Sequence, residues 1–394
     1  MKKIGGSYIR RLYLISKREM GHLVSRPLYV FSMIIAPIFI YVFFTTLMGE
    51  GLPTNLPVGV VDLDNTISTR KIVRTLDSFE QTDIVGEYAN FAQARKAMQQ
   101  GKIYAFYYIP KGTTAKILAN RRPKISFYTN NSLLIAGSLL YRDLRTASVL
   151  AGAYVQLETL KAHGYTEAQG TTWAQPIVIN MKPLNNPWLN YSVYLNNTIV
   201  PGVLMIFIFM ITVYTIGDEW KNDTVGEWMR LAGGNIVTAL VGKLLPQTII
   251  FFLTTALYDA YFFGFLHYPC NGGALPMLLA AFLMVLASQA FGIFLIGMIP
   301  NLRLALCGCS LWGVVSFSIS GFSFPVMAMH PTLQALSVLF PLRHYFLIYV
   351  NSALDGYPMI YAWPSYIALI LFCLLPFVVL KRLHTAVCYF KYQP

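Results

Sequence analysis

Charge is scarce in this chain. Only 12% of its 394 residues are Asp, Glu, Lys or Arg, about half the share of an average soluble domain, which excludes an ordinary solvated globular protein. Acidic side chains are the scarcest, 17 against 30 basic ones. Cysteine is sparse too: Cys270, Cys307, Cys309, Cys373 and Cys388 are the whole set, and none falls in residues 49–197, so that stretch must fold without disulfides. No nucleophile–base pair and no His/Cys/carboxylate set with ligand spacing stands out, which argues against a membrane enzyme or a resident metal. A phosphate loop of the form Gly-x-x-x-x-Gly-Lys-Ser/Thr is missing, because Gly242-Lys243 is followed by Leu244 and lacks the upstream glycine. The chain is therefore not expected to hydrolyse ATP itself. A cleavable signal peptide is not expected either: the first apolar run starts late, is too long for an h-region and lacks a small-residue cleavage site.

What the chain has instead is apolar length. It is 56% hydrophobic, with a mean hydropathy of +0.52. A membrane helix needs roughly 20 apolar residues, and six such spans are expected, at residues 28–48, 198–217, 240–264, 275–298, 303–322 and 361–380. The spacing is uneven: one span, about 150 mixed residues, then five spans in close succession. The net charge of +13 is no nucleic-acid footprint. Lys2, Lys3, Arg10, Arg11, Lys17, Arg18 and Arg26 precede the first span, and further basic residues (Lys221, Arg230, Lys243, Arg303, Lys381, Arg382, Lys391) sit in alternate loops and the tail. The positive-inside rule then places both termini in the cytoplasm and residues 49–197 outside. The fold class expected is an α-helical integral membrane protein with six transmembrane helices and an inserted extracytoplasmic α/β domain.

Three segments need separate treatment. In residues 1–27, Ile9, Leu12, Ile15, Met20 and Leu23 recur at roughly helical spacing among Arg10, Arg11, Lys17 and Arg18, the pattern of a basic interfacial helix, with Pro27 marking the bend into span 1. In residues 324–354, Pro325, Pro331 and Pro341 break the apolar run into pieces too short to span, so short re-entrant or interfacial helices are expected on the outer side. In the insert, strands are expected at 56–62, 84–85, 103–109, 124–128 and 175–181. Helices are expected after Ser68 as N-cap, after Asn90 and over 133–160, making a compact α/β domain with a mixed sheet.

Polar residues at membrane depth are weighed one by one. Asp62 and Asp64 are read as turn and cap residues rather than a metal pair. Asp259 is the one carboxylate inside a span, near its outer end beside Tyr258 and Tyr261; it is a candidate intramembrane polar site, though an interfacial position is the plainer reading. His330 and His344 are read as interfacial, and Cys307 and Cys309 as small helix-packing residues. The loop at 218–235 mixes acids and aromatics: Asp218, Glu219, Trp220, Asp223, Thr224, Glu227 and Trp228. The tryptophans would anchor at the membrane surface, and the charged helix between them would offer a docking surface.

Four stretches then resemble one family. They are Arg18-Glu19 with Ser25-Arg26-Pro27, and Pro57-Val58-Gly59-Val60-Val61-Asp62-Leu63-Asp64-Asn65-Thr66 with Ser68-Thr69-Arg70. The third runs from Glu219 through Trp228 to Gly242-Lys243, and the fourth is Ser320-Gly321-Phe322-Ser323-Phe324-Pro325 with Pro341-Leu342-Arg343-His344-Tyr345. In this order they resemble the permease subunits of type-2 ATP-binding-cassette (ABC) exporters with a large domain between spans 1 and 2. Two departures stand out. Asn222-Asp223-Thr224 replaces the end of the family's usual Glu-Arg-Glu-x-Gly-Thr string, and Met329-His330-Pro331 stands where the family often has Met-Pro.

The resemblance implies an ATP-driven permease of the plasma (inner) membrane, with ATP and Mg held by a separate ABC ATPase subunit. It implies a second permease chain, as homo- or heterodimer, and leaves room for a periplasmic membrane fusion protein; nucleic acid is not expected. It assigns coupling to the ATPase to Arg18, Glu19, Glu219, Thr224, Glu227 and Trp228, and an outer gate to Gly321, Phe324, Pro325, Pro341 and Arg343. Apolar spans 2 and 5 suit a hydrophobic or amphipathic cargo such as a drug or lipid. A secondary transporter would need intramembrane ionisable pairs or half-span repeats, and only Asp259 is present. A non-transporting envelope-complex or sensor subunit, working through the external domain, is the alternative reading.

Overall fold

The computed structural model describes residues 7–119, 121, 123–174 and 180–390. The chain divides into two compact units, Met1–Gly49 with Leu184–Pro394, and Glu50–Pro183.

Helix α1 (Tyr8–Ser25) starts where the Ser7 hydroxyl accepts the Arg10 N–H and stops at Arg26, extended at φ −109° and ψ 117°. A residue before proline is driven out of the helical region, and Pro27 opens α2 (Pro27–Leu47), which contains a π-helical turn at Phe31–Ile35. The buried face of α1 is Ile15, Glu19 and Leu23, spaced four apart as one helix stripe. Ile9 and Met20, expected on the apolar face, are exposed. The helix selects a narrower stripe because a carboxylate, Glu19, occupies its centre.

The insert begins with β1 (Leu56–Asp62), α3 (Ile67–Asp77), β2 (Thr82–Glu87), α4 (Phe91–Gln99) and β3 (Ala105–Ile109). It continues with α5 (Thr113–Leu118), β4 (Ser126–Thr129), α6 (Leu134–Ala162) and α7 (Glu167–Ala174). The sheet runs β2-β1-β3-β4, parallel except for the antiparallel β3/β4 pair. Alternation sets its two faces. Leu56, Val58, Val60, Ala105, Tyr107 and Ile109 face a core shared with Ile72 and Leu76 of α3 and Leu140 and Leu144 of α6. Val61 and Phe106 face Ala94 and Ala97 of α4. On that second face a Cβ at Gly59 would come within 2.7 Å of the Tyr88 ring and 2.9 Å of Ile103, so only glycine lets β1 run so close beneath them.

The cap of α3 is Thr66, in a reciprocal box with Thr69, not Ser68, which is the second residue of the helix. Asn90 caps α4 by accepting the Gln93 N–H. The strand expected at 175–181 lies largely outside the described residues. Asp62 accepts the Asp64 and Asn65 N–H groups and so closes the turn after β1. Asp64 reaches a different element, accepting from Gly112 N (2.7 Å), Thr114 N (2.9 Å) and Thr114 Oγ1 (2.6 Å) at the start of α5.

The second half of the chain is helical: α8 (Tyr191–Lys221), α9 (Val225–Leu231), α10 (Ile236–Phe265), α11 (Ala274–Met298), α12 (Leu302–Ile319), α13 (Pro331–Ser337), α14 (Pro341–Leu354) and α15 (Met359–Tyr389). Among the described residues, six helices are long and apolar enough to cross a membrane: α2, α8, α10, α11, α12 and α15. The second span is longer than expected, starting at Tyr191 under an Asn190 cap rather than near 198; Asn196 and Asn197, which mask the apolar run in sequence, are buried within it. Helices α13 and α14 pass the same length-and-apolarity test only as a pair, bent by 83°.

In the bundle, α8 and α11 are the most enclosed helices, whereas α2, α12 and α15 leave most of their length uncovered. Helix α12 packs on α8 through small residues: a Cβ on Gly202 or Gly217 of α8, or on Gly313 of α12, would fall within 2.5 Å of Phe317, Leu302 or Ile206 respectively. Close backbone approach at small residues is how helices associate without a hydrophobic drive between them. On α12, Cys309 is buried in this contact and Cys307 is exposed.

The Asp64 contact generates a prediction. Its carboxyl is held below its ordinary value, chiefly by the Thr114 hydroxyl and then by backbone N–H groups. A depressed carboxylate stabilises above its unfolded-state pKa, and that stability is lost as pH falls through the depressed one. Asp64→Ala removes a cap of about 1 kcal/mol. Hydrogen exchange on the full chain at neutral pH is expected to show the Gly112 and Thr114 amides exchanging about fivefold faster, and the difference from wild type should fade in acid.

Candidate functional site

Three segments far apart in sequence bring charged side chains to one buried point. Glu19 of α1, Glu219 of α8 and Lys243 of α10 are 1%, 2% and 2% exposed. The Lys243 ammonium donates to Glu19 Oε2 at 2.7 Å and Glu219 Oε1 at 2.6 Å. Arg18 grips Glu219 with both guanidinium nitrogens, 2.8 Å to Oε1 and 3.0 Å to Oε2, the fork geometry that favours Arg over Lys. Thr224, ahead of α9, donates to Glu219 Oε2 at 2.5 Å. Four donors thus saturate one carboxylate.

Glu19 is satisfied on its other oxygen. Thr215 of α8 lies 3.1 Å from Oε1, and Gln247 of α10 donates to it at 3.2 Å. Gln247 also reaches Thr215 Oγ1 at 2.9 Å, and Tyr29 of α2 closes the chain at 2.9 Å from that hydroxyl. Two acids and two bases cancel. Trp228 of α9 lies beneath: its ring centroid is 5.3 Å from Lys243 Nζ, within cation–π reach, and its indole N–H donates to Ala239 O at 3.1 Å. Arg26 pairs with Asp218 beside the cluster, and Asn222 donates to the same carboxylate. Glu19, His22 and Glu219 place ligand atoms within 4.8 Å of one another, but the Lys243 ammonium already sits on both carboxylates, so this set does not suit a metal. His22 is held below its usual pKa by burial and then by the Arg18 charge.

Close packing fixes this arrangement locally. Ser16 donates to Gly242 O at 2.8 Å, and a Cβ on Gly242 would meet Ile15 at 2.9 Å. With no side chain at 242, α1 lies directly on α10, with Glu19 one turn beyond Ile15 and Lys243 beside Gly242.

All six residues assigned to coupling by resemblance, Arg18, Glu19, Glu219, Thr224, Glu227 and Trp228, meet here. Glu227 sits at the rim, 3.8 Å from Arg18 Nε and half exposed. Trp228, expected to anchor at the membrane surface, is wholly buried, because its N–H has a carbonyl partner inside the protein. Lys243 is the residue that sequence reasoning undervalued, reading it as a loop charge. Its position at the eighth residue of α10, in an otherwise apolar run, was the available signal. Thr215 and Gln247 carried none.

The residues assigned to an outer gate form a looser group. Gly321 follows α12 at φ +105°, Pro325 precedes a short 3₁₀ turn at Val326–Ala328, and Pro341 opens α14. Phe322 joins this turn to α14 by an edge contact with Phe346, and its carbonyl accepts from Tyr194 of α8. Phe324 is exposed and Arg343 half-buried; no contact between them is seen among the described residues. Asp259 of α10 is 4% exposed, enclosed by the protein. His330 caps α13, and His344 is turned onto Val338 O.

A family profile described as an ABC-2 family transporter protein matches residues 27–380. The chain belongs to the ABC-2 transporter family. It is accordingly an ABC-2 type permease and a multi-pass membrane protein; in this family the membrane chain is generally non-catalytic and the ATPase resides on an ABC partner. No curated protein matches the chain significantly. The matched region begins at Pro27, so α1 precedes it although α1 supplies Arg18 and Glu19 to the ABC-2 chain's ion cluster.

Removing one member of a buried, balanced set leaves a charge unpaired. Lys243→Met is expected to lower the unfolding free energy of the detergent-purified chain by about 3–5 kcal/mol. Adding Glu19→Gln should recover part of that loss, because Glu19 is the negative charge left unpaired without Lys243, whereas Glu219 keeps Arg18. Denaturant titration of the single and double variants measures both; strictly additive losses would show that the charges do not act together.

Proposed function

We propose that this chain is the membrane-spanning permease subunit of an ATP-driven ABC exporter of the bacterial inner membrane. Two permease chains enclose the pathway, both termini are cytoplasmic, and residues 50–183 form an extracytoplasmic domain. A separate ABC ATPase, carrying ATP and Mg, docks on α9 and the exposed side of α1. The observation that carries this reading is the buried Arg18–Glu219–Lys243–Glu19 cluster, which clamps the short helix α9 to three longer ones.

The division of α9 into two faces supports docking. Trp228 and Met229 are buried, whereas Gly226, Glu227 and Arg230 form an exposed stripe at spacings that share one helix side. A force applied to that stripe passes through Trp228 and Thr224 to Glu219, and from there to α1, α8 and α10 as a rigid-body displacement. At the far end of α8, the interlocked α8–α12 contact carries the motion to the turn at Gly321–Pro325. On α12, Leu304, Leu311 and Val314 remain exposed, an apolar stripe suited to a second permease chain. The apolar character of α8 and α12 favours a hydrophobic or amphipathic cargo over a hydrated ion.

The test separates docking from folding. Glu227→Ala changes only the exposed rim, and Trp228→Phe keeps the buried ring while removing its N–H bond. In the reconstituted complex with its ATPase, Glu227→Ala is expected to lower cargo-stimulated ATP hydrolysis and transport together by about tenfold, with the unfolding midpoint of the permease within about 0.5 kcal/mol of wild type. Trp228→Phe should cost about 1 kcal/mol of stability and weaken coupling less. Stimulation and transport left untouched by Glu227→Ala would remove the docking assignment.

A further inference from the structure

Asp259 is the carboxylate this bundle buries without a cation. Neither Oδ1 nor Oδ2 has a hydrogen-bond partner among the described residues, and no salt bridge reaches it there, in contrast to Glu19 and Glu219. It lies at the start of the π-helical turn Ala260–Phe265 that ends α10. About 35 Å of helix, at 1.5 Å per residue, separates it from the beginning of α10. The groups around it come from four other places. Tyr41 of α2 stacks at 4.7 Å on Tyr258 and donates to Thr254 O at 3.1 Å. Tyr345 of α14 lies near both Asp259 and Tyr258, and Tyr349 of α14 near Tyr258. Cys270, in the loop after α10, also lies near Asp259. Helix α8 contributes apolar Val200 to the cluster of Tyr41, Tyr258 and Phe262. The hydroxyls of Tyr258 and Tyr345 are themselves without partners among the described residues. The other titratable groups of α14 face elsewhere: Arg343 makes no ion pair among the described residues, and His344 is held by Val338 O.

An ionised carboxylate in such surroundings has no cation, no full set of donors and no bulk water, and its burial costs many times what the neutral acid costs. The acid is neutral as long as α2, α10 and α14 stay packed over it. When they part, water solvates the carboxylate and the proton leaves to that water. We propose that Asp259 is a proton-binding site that latches α14 and α2 onto the end of α10, protonated in the packed state and ionised when these helices separate. By linkage, a ligand that prefers one state shifts the equilibrium toward it. Acid therefore holds the latch shut and rising pH favours opening. The latch belongs to the permease chain alone and needs neither an ATPase nor a cargo, so its failure and that of the transport reading are distinguishable.

The test uses the full chain in lipid nanodiscs, on a cysteine-free background carrying Ile348→Cys. Ile348 is a fully buried position of α14, between Tyr345 and Tyr349 in the same buried cluster. Labelling by a membrane-impermeant maleimide is followed against pH with Asp259 and with Asp259→Asn, an isostere that cannot ionise. The ratio of the two rates cancels the pH dependence of the thiol. It is expected to rise with pH by up to about tenfold per unit, the limit for one linked proton. A ratio flat across pH overturns the latch. Infrared spectra of the unsubstituted chain give a second reading should Asp259→Asn fail to fold. A protonated-carboxyl C=O band should disappear over the same pH range in which labelling of Ile348→Cys accelerates beyond a free thiol control. A missing band, or labelling that does not track it, overturns the proposal as well.

Discussion

Charge cannot be left alone inside this bundle, and the rest of the cytoplasm-facing architecture we propose depends on how that constraint is met. Arg18, Glu19, Glu219 and Lys243 arrive from three helices, and each would be prohibitively placed without the others. Their mutual satisfaction sets the register of α1 against α10 and of both against α8. Slipping α1 by one turn would put Ile15 where Glu19 now meets Lys243 and bring Glu19 to apolar surroundings. Gly242 permits the close approach, but the charges decide which approach is allowed. A hydrophobic contact of the same area would tolerate several registers, whereas an ion cluster with saturated oxygens tolerates one.

The two kinds of buried carboxylate in this protein obey the same rule by different means. Glu219 has four donors, three of them from the cations Arg18 and Lys243, and its negative charge is part of the fold. Asp259 has tyrosine neighbours and no cation among the described residues, so the proton has to do what Arg and Lys do for Glu219. The consequence is a difference in what each can respond to. Separating the ion cluster strands four charges at once and resists any ordinary change of pH. Separating the packing around Asp259 strands only a neutral acid, which can ionise as soon as water arrives. One end of the bundle is held by groups that stay charged, the other by a group able to change its charge.

The legibility of these features in the sequence followed their range. Elements set by local pattern were readable: β1 from its β-branched run, α4 from Asn90, and the six long apolar helices from hydropathy and charge bias. The errors came where tertiary contacts overrode local preference. Ser68 looks as good a cap as Thr66 until Thr69 is seen to answer it. Ile9 and Met20 sit on the apolar side of α1 by spacing, yet Glu19 marks the buried stripe. Asn196 and Asn197 hide the start of α8 because hydropathy counts an amide against the membrane, whether or not the protein encloses it. In the candidate site, Arg18, Glu19, Glu219, Thr224, Glu227 and Trp228 stood out through family resemblance. Lys243 was visible but misread, since a lysine near the end of an apolar run normally marks a membrane surface. Thr215 and Gln247 could not have been found, because a single polar residue in a helix gives no hint of which carboxylate it will meet.

The position of α9 explains why a loop of this kind can transmit force at all. A seven-residue helix is too short to be stable alone and would fold and unfold under load if it were held only by its own hydrogen bonds. Here Trp228 is locked by packing and by Ala239 O, while Thr224 is tied to the most heavily bonded carboxylate in the chain. Both ends of α9 are thus attached to helices of 24 residues or more, one at the end of α8 and one in the first turn of α10. A push on Glu227 or Arg230 cannot be absorbed by local fraying, because fraying would have to break the Glu219 cluster first. It must instead displace α8 and α10 together; α8 bears the α8–α12 contact along its length, and α10 bears the Asp259 latch at its far end. The stiffness of a short helix is borrowed from the charges buried behind it.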